Sequence, residues 1–133
     1  MKNIVKSQSG MAAIIIVVVI GATALVLAKS ASLSGINEID ISFNKDQGEK
    51  ALSLAEGCAE ETLRRIQLDT SYIAADLELT YGGGYCIINT EANGSQRTIT
   101  INSQVGDYFK KLEVEAELEE NRIIINNWQE VSN

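Results

Sequence analysis

Three hydrophobic rhythms follow one another along this chain. Met11 to Ala28 reads MAAIIIVVVIGATALVLA, continuously apolar and without a charged residue. At 1.5 Å per residue such a run makes roughly 27 Å of helix, enough to cross the hydrocarbon core of a bilayer. From about Leu33 to Leu68 the rhythm changes. Ile36, Ile39, Phe43, Gln47, Ala51, Leu54, Cys58, Thr62 and Ile66 recur at spacings of three and four, the period of a helix with one covered face. On the opposite face Asp46/Lys50, Glu60/Arg64 and Glu61/Arg65 set an acid four residues ahead of a base, the favourable order on a helix. The chain contains no proline, so the simplest expectation is one long helix through both stretches. Helix propensity is weakest from Ser30 to Gly35, where three serines alternate ahead of a glycine, and an irregularity is expected there if anywhere.

After Thr70 the period falls to two. Asp76–Tyr81, Tyr85–Glu91, Arg97–Val105, Tyr108–Leu118 and Arg122–Trp128 read as strands. The turns between them are Gly82-Gly83-Gly84, Ala92-Asn93-Gly94-Ser95, Gly106-Asp107 and Glu119-Glu120-Asn121. In the third strand Ile99, Ile101, Ser103 and Val105 share a side. In the fourth, Leu112, Val114, Ala116 and Leu118 point inward while Glu113, Glu115 and Glu117 point outward. Such a meander has one apolar face to cover, and the amphipathic helix is the only element available to do it. The expected fold is therefore α+β, a long N-terminal helix packed on a small antiparallel β-meander. The chain divides into a basic leader over 1–10, a transmembrane segment over 11–29, an amphipathic helix over 30–69 and a β head over 70–133.

Composition narrows the chemistry. There is no histidine, which removes the usual general base near neutral pH and the commonest metal ligand. No set of nucleophile, base and orienting group can be assembled from what remains, so no catalytic site and no cofactor are expected. The formal charge of −7 argues against direct binding of nucleic acid through its phosphates. Gly82-Gly83-Gly84 lacks the Lys-Ser/Thr of a phosphate loop and opens no helix, so it reads as a turn. The acids Glu113, Glu115, Glu117, Glu119 and Glu120 follow a strand period and read as a solvated face rather than a calcium site. Tyr72, Tyr81, Tyr85, Tyr108 and Trp128 are expected to close the open ends of the small core rather than to stack a ligand. The two cysteines, Cys58 on the covered helix face and Cys86 in the second strand, suggest a disulfide in an exported domain, with two buried thiols as the other reading. They are not spaced as CxxC, which speaks against a redox or zinc site.

The junction between leader and span carries the most specific signal. Lys2 and Lys6 precede it, Lys29 follows the span, and Glu38 and Asp40 come soon after, which favours a cytoplasmic N-terminus. The stretch Lys6-Ser7-Gln8-Ser9-Gly10-Met11-Ala12-Ala13-Ile14-Ile15-Ile16 resembles the class III signal read by prepilin peptidase, which cuts after a glycine and leaves the apolar helix on the mature protein. Over its whole length the chain resembles type IV pilins and pseudopilins, most closely minor pilin-like proteins with a Gly-Met-Ala junction. The resemblance implies cleavage between Gly10 and Met11, N-terminal methylation, and assembly with other pilin subunits through Ile14, Ile15, Ile16, Val17, Val18, Val19 and Ile20. It also implies a place first in the membrane and then in a cell-surface filament. Major pilins carry Glu at the fifth residue after the cut, where this chain has Ile15, and that points to a minor, initiating or divergent subunit. Three other readings remain: a plain single-pass anchor, a single-pass membrane-anchored extracytoplasmic binding module, and a cleaved secretory signal with Ala22-Thr23-Ala24 as its small-residue site.

Overall fold

A computed structural model of the chain describes residues 2–132. Met1 of the leader and Asn133 of the head lie outside them. The elements are one helix, α1 (Lys2–Leu68), and five strands, β1 (Leu77–Tyr81), β2 (Gly84–Asn93), β3 (Gln96–Val105), β4 (Tyr108–Glu119) and β5 (Arg122–Val131). The strands form one antiparallel sheet in the order β1-β2-β3-β4-β5. The chain divides into two compact units, 1–42 and 43–133.

From Lys2 onward the first unit is helical. The irregularity expected from Ser30 to Gly35 is absent, and α1 continues through those residues. The serine hydroxyls explain how: Ser30, Ser32 and Ser34 each donate to the carbonyl four residues back, at 3.0 to 3.1 Å. Bonded this way, they do not compete for the backbone in a non-helical conformation, which is the usual reason serine weakens a helix.

The second unit is the head. Its core is a sandwich of helix on sheet. Ala55, Cys58, Ala59 and Ile66 of α1 meet Cys86 and Ile88 of β2, Ile99 and Ile101 of β3, and Leu112 and Val114 of β4, all buried. Small residues on the helix let the sheet approach closely, and the branched aliphatics of the sheet fill the space between, each contributing roughly 1.5–3 kcal/mol on burial. Ser103 is the one buried polar side chain on β3, and its hydroxyl donates to the carbonyl of Ala51 on the helix at 2.6 Å. The covered stripe begins at Gln47. Ile36, Ile39 and Phe43, which keep the same spacing, are 57, 69 and 58% exposed, so the amphipathic face extends beyond the part that this sheet covers.

Local chemistry sets the hairpins. The β1–β2 loop is Gly82-Gly83, with φ of +56° and +86°. Two successive left-handed residues make the turn whose twist matches the flanking strands, and a side chain would strain either position. Gly94-Ser95 and Gly106-Asp107 form the next two loops, also of two residues each. Ala92 and Asn93, expected in the turn, instead pair with Arg97 and Gln96, because a two-residue loop lets the ladder run to its edge. The segment between α1 and β1 is pinned from several sides. Asp69 accepts from the backbone and hydroxyl of Ser71, Ala74 O accepts from Thr90 N, and Arg97 Nη2 donates to Thr70 O at 2.9 Å. No sequence rhythm announces these links.

Ion pairs on the helix follow the expected spacing with one change. Lys50 pairs with Asp46 at 2.8 Å and Arg65 with Glu61 at 2.9 Å, but Arg64 turns to Glu61 at 3.0 Å rather than to Glu60. The hydrogen bond from Arg64, then that from Arg65, holds the Glu61 carboxyl down at a pKa of about 2. A depressed folded-state value means the contribution to stability is complete above the ordinary value near 4.5 and is lost as pH falls toward 2. Carbon-detected NMR of Glu61 is expected to show its titration midpoint near 2, and Glu61→Gln should flatten the head's stability over that acid window. A midpoint near 4.5 would show that the paired geometry is not populated in solution. Both arginines also lie near the helix C-terminus, where positive charge is favourable. Arg65 additionally sits 5.9 Å from the centre of the Tyr72 ring.

Candidate functional site

Seven consecutive β-branched residues, Ile14 to Ile20, would make a poor helix in water because each loses side-chain freedom against the preceding turn. Inside a bilayer the balance reverses: every backbone donor and acceptor must be paired within the segment, and a helix is the way to do it. α1 supplies that geometry. It is long and apolar enough to cross a membrane, its most apolar 18-residue window has a mean hydropathy of 2.9, and none of that window is buried within the chain. Ile14, Ile15, Ile16, Val17, Val18, Val19 and Ile20 are each between 55 and 68% exposed, on every side of the helix. Thr23 introduces the first hydroxyl after them, and it donates to Ile20 O at 2.9 Å rather than facing outward unpaired. Ala13, Ile14, Val17 and Val18 line a shallow groove with no polar surface, where a short side chain leaves room beside longer ones.

Gly10 lies within α1 and is exposed. A β-carbon added there would meet nothing within 4 Å. Nothing in this chain's own packing therefore calls for glycine at that position. Met11, immediately after it, is 68% exposed. The fifth residue from Met11 is Ile15, and the run to Ala28 holds no ionisable group.

Cys58 and Cys86 are joined in a disulfide that ties α1 to β2, with 6.8 Å between their α-carbons. Both are buried within the helix–sheet core. The bridge closes a separation of 28 residues, which on the chain-entropy view stabilises by about 3.5 kcal/mol.

The aromatic side chains do not act as one group. Tyr72 packs against the core. Tyr85 bonds to Gln104, and the Tyr108 hydroxyl donates to Asn44. Tyr81 is 54% exposed and Trp128 36%, so these two do not close the core as expected. Glu115 faces solvent, and Glu119 is taken up by Arg122 at 2.6 Å. No group of three side chains able to hold a metal ion occurs among the described residues. What the arrangement offers is a lipid-compatible helix carrying a disulfide-locked head. Compared with protein-family models, curated proteins and solved structures, the chain matches none of them.

Proposed function

We propose that the chain is a structural subunit of a type IV pilus-like or pseudopilus filament, cut by prepilin peptidase and held in the membrane by its N-terminal helix until it assembles with other pilin subunits. One observation carries the reading: an apolar stretch of α1 long enough to cross a membrane, and unburied within the chain, follows directly on the Gly10-Met11 junction that resembles a class III signal. The run's exposure on all sides suits lipid first and neighbouring helices later, with alanine and glycine allowing close approach. Ile15 removes the intramembrane charge that would fix axial register, so incorporation would rest on apolar packing of Ile14 to Ile20. That suits a minor or initiating subunit. The head would face outward, without catalytic duty.

Gly10→Leu tests the reading. The native chain, isolated from its membrane, should lack Met1 to Gly10, which takes the formal charge from −7 to −9 because the leader holds two lysines and no acid. The variant should keep its leader while the head remains folded, since leucine at 10 meets no neighbour. Native protein that retains Met1–Gly10 would point instead to a tethered extracytoplasmic binding module.

A further inference from the structure

The β2–β3 and β3–β4 hairpins are built alike and differ in one place. Each closes on a two-residue loop, Gly94-Ser95 or Gly106-Asp107. In each loop the glycine alone takes a positive φ, +62° or +59°. That is the pattern of a tight hairpin turn that needs glycine first and favours a small polar residue second. The turn therefore accounts for Gly94 and for Ser95. It does not account for the residue ahead of the glycine, which is Val105 in one hairpin and Asn93 in the other. Asparagine is depleted from strands, yet Asn93 is paired within the ladder, opposite Gln96.

Asn93, Gly94 and Ser95 together read Asn-x-Ser, the acceptor for N-linked sugar in an exported chain. No other asparagine in this sequence has serine or threonine two residues on. The spacing has a chemical reason. An amide nitrogen is a poor nucleophile because its electron pair is shared with the carbonyl, and a hydroxyl two residues on lies close enough to engage that amide. The fold turns these groups outward. Cys86, Ile88 and Thr90 of β2 are buried toward α1, so Ile87, Asn89, Glu91 and Asn93 take the other face, which α1 does not cover. Asn93 and Ser95 are exposed, and a β-carbon built on Gly94 meets nothing within 4 Å. The Ser95 hydroxyl reaches Glu117 Oε1 only at a long 3.4 Å, so it is easily released. The loop itself is held by Arg97, which donates to Gly94 O and to Thr70 O. The buried Cys58–Cys86 bridge is of the kind kept in an oxidising, exported setting, where such sugars belong.

We propose that Asn93 is an N-glycosylation site. Its Nδ2 forms a bond to the anomeric carbon of a sugar carried on a lipid-linked diphosphate. The bond from that carbon to the diphosphate oxygen breaks, the electron pair leaves with the oxygen, and the proton lost from Nδ2 passes to a base of the transferase. The product carries a bulky, solvated group at a hairpin tip, and exposed tips of small and polar residues are where proteases otherwise cut. The modification requires the head to lie outside the cytoplasm. It goes beyond the filament reading, since a tethered binding module would carry the sugar equally.

The full chain, isolated from the cells that make it, tests this by mass. Trypsin releases Ile66–Arg97, which holds Asn93, and reduction frees it from the peptide of Cys58. That peptide should be heavier by one or more whole sugar residues. Fragmentation that keeps side-chain modifications intact should place the gain on Asn93 and not on Asn89. Asn93→Gln and Ser95→Ala should each lose the gain, while Ser95→Thr keeps it. Both positions are exposed at a turn, so the head should stay folded, and persistence of the Cys58–Cys86 bridge checks that it has. A native peptide of unmodified mass, or one bearing only the small increment of Asn93 deamidation, would overturn the proposal. So would a gain that survives Ser95→Ala. The N-terminal peptide of the same digest reports on the leader separately. A sugar-bearing chain that retains Met1–Gly10 would sink the filament reading and leave this one standing.

Discussion

Replacing Cys58 and Cys86 together by alanine is expected to destabilise the head by about 3.5 kcal/mol, on the order of 15–25 °C in its melting temperature. Alanine is the better substitute because serine would also place two hydroxyls in a core where both positions are almost fully covered. The long helix would dominate a far-ultraviolet signal, so the fluorescence of Trp128 is the appropriate probe. Because both sulfurs are buried, the native bridge should also resist reductant until the head opens, and thiol release should track unfolding. A loss below about 1 kcal/mol would mean that the unfolded chain is already compact around these two positions, leaving the bridge little entropy to remove.

The second large effect is expected at Gly84. A β-carbon there would lie 2.6 Å from Gln104 O, 2.7 Å from Val105 Cγ2 and 2.9 Å from Leu54 Cδ2. The first is backbone of the neighbouring strand and cannot withdraw without disturbing the β2–β3 ladder, whose register sets Gly84 opposite Val105. Gly84→Ala should therefore cost about 1–3 kcal/mol, and Gly84→Val more, through overpacking between helix and sheet. Gly57→Ala is the natural control. It lies in α1 with nothing within 4 Å of an added β-carbon, so alanine should stabilise by about 0.5–1 kcal/mol through propensity alone. Denaturant midpoints of the two variants should move in opposite directions, and a neutral Gly84→Ala would show that helix and sheet sit further apart than this packing implies.

Much of the head was legible because its signals are local. Glycines mark three of the four hairpins, and the alternation of Leu112, Val114 and Ala116 with glutamates fixes which face of β4 is covered. The cysteines could be paired by reasoning about compartment and helix face. The extent of burial was not legible in the same way. Ile36, Ile39 and Phe43 carry the same period as Ala51 and Cys58 yet remain exposed, because period reports a face and says nothing of how far a covering sheet reaches. Trp128 was misplaced for a related reason. Its side depends on a bulge at Asn126, and no residue pattern announces where a strand gains an extra position. The weak propensity of Ser30 to Gly35 is a preference that does not decide the outcome, since the hydroxyls find helical acceptors. For the span and the Gly10–Met11 junction the reading rests on sequence, and isolation of the native chain will decide it.

The strand order has a consequence for how the head comes into being. Every strand pairs with the one made just before it, and the helix that covers them is made first of all. In chain order each segment thus finds its docking surface already in existence, and no strand must wait for a later one to be inserted beside it. Such nearest-neighbour connectivity keeps loop-closure costs low and leaves few unpaired edges while the chain is incomplete. Hairpins close in about 1–10 μs whereas disulfides take seconds or longer, so sulfur chemistry enters last. The bridge acts as a seal on a contact that the meander has already found, and the topology alone must guide the search.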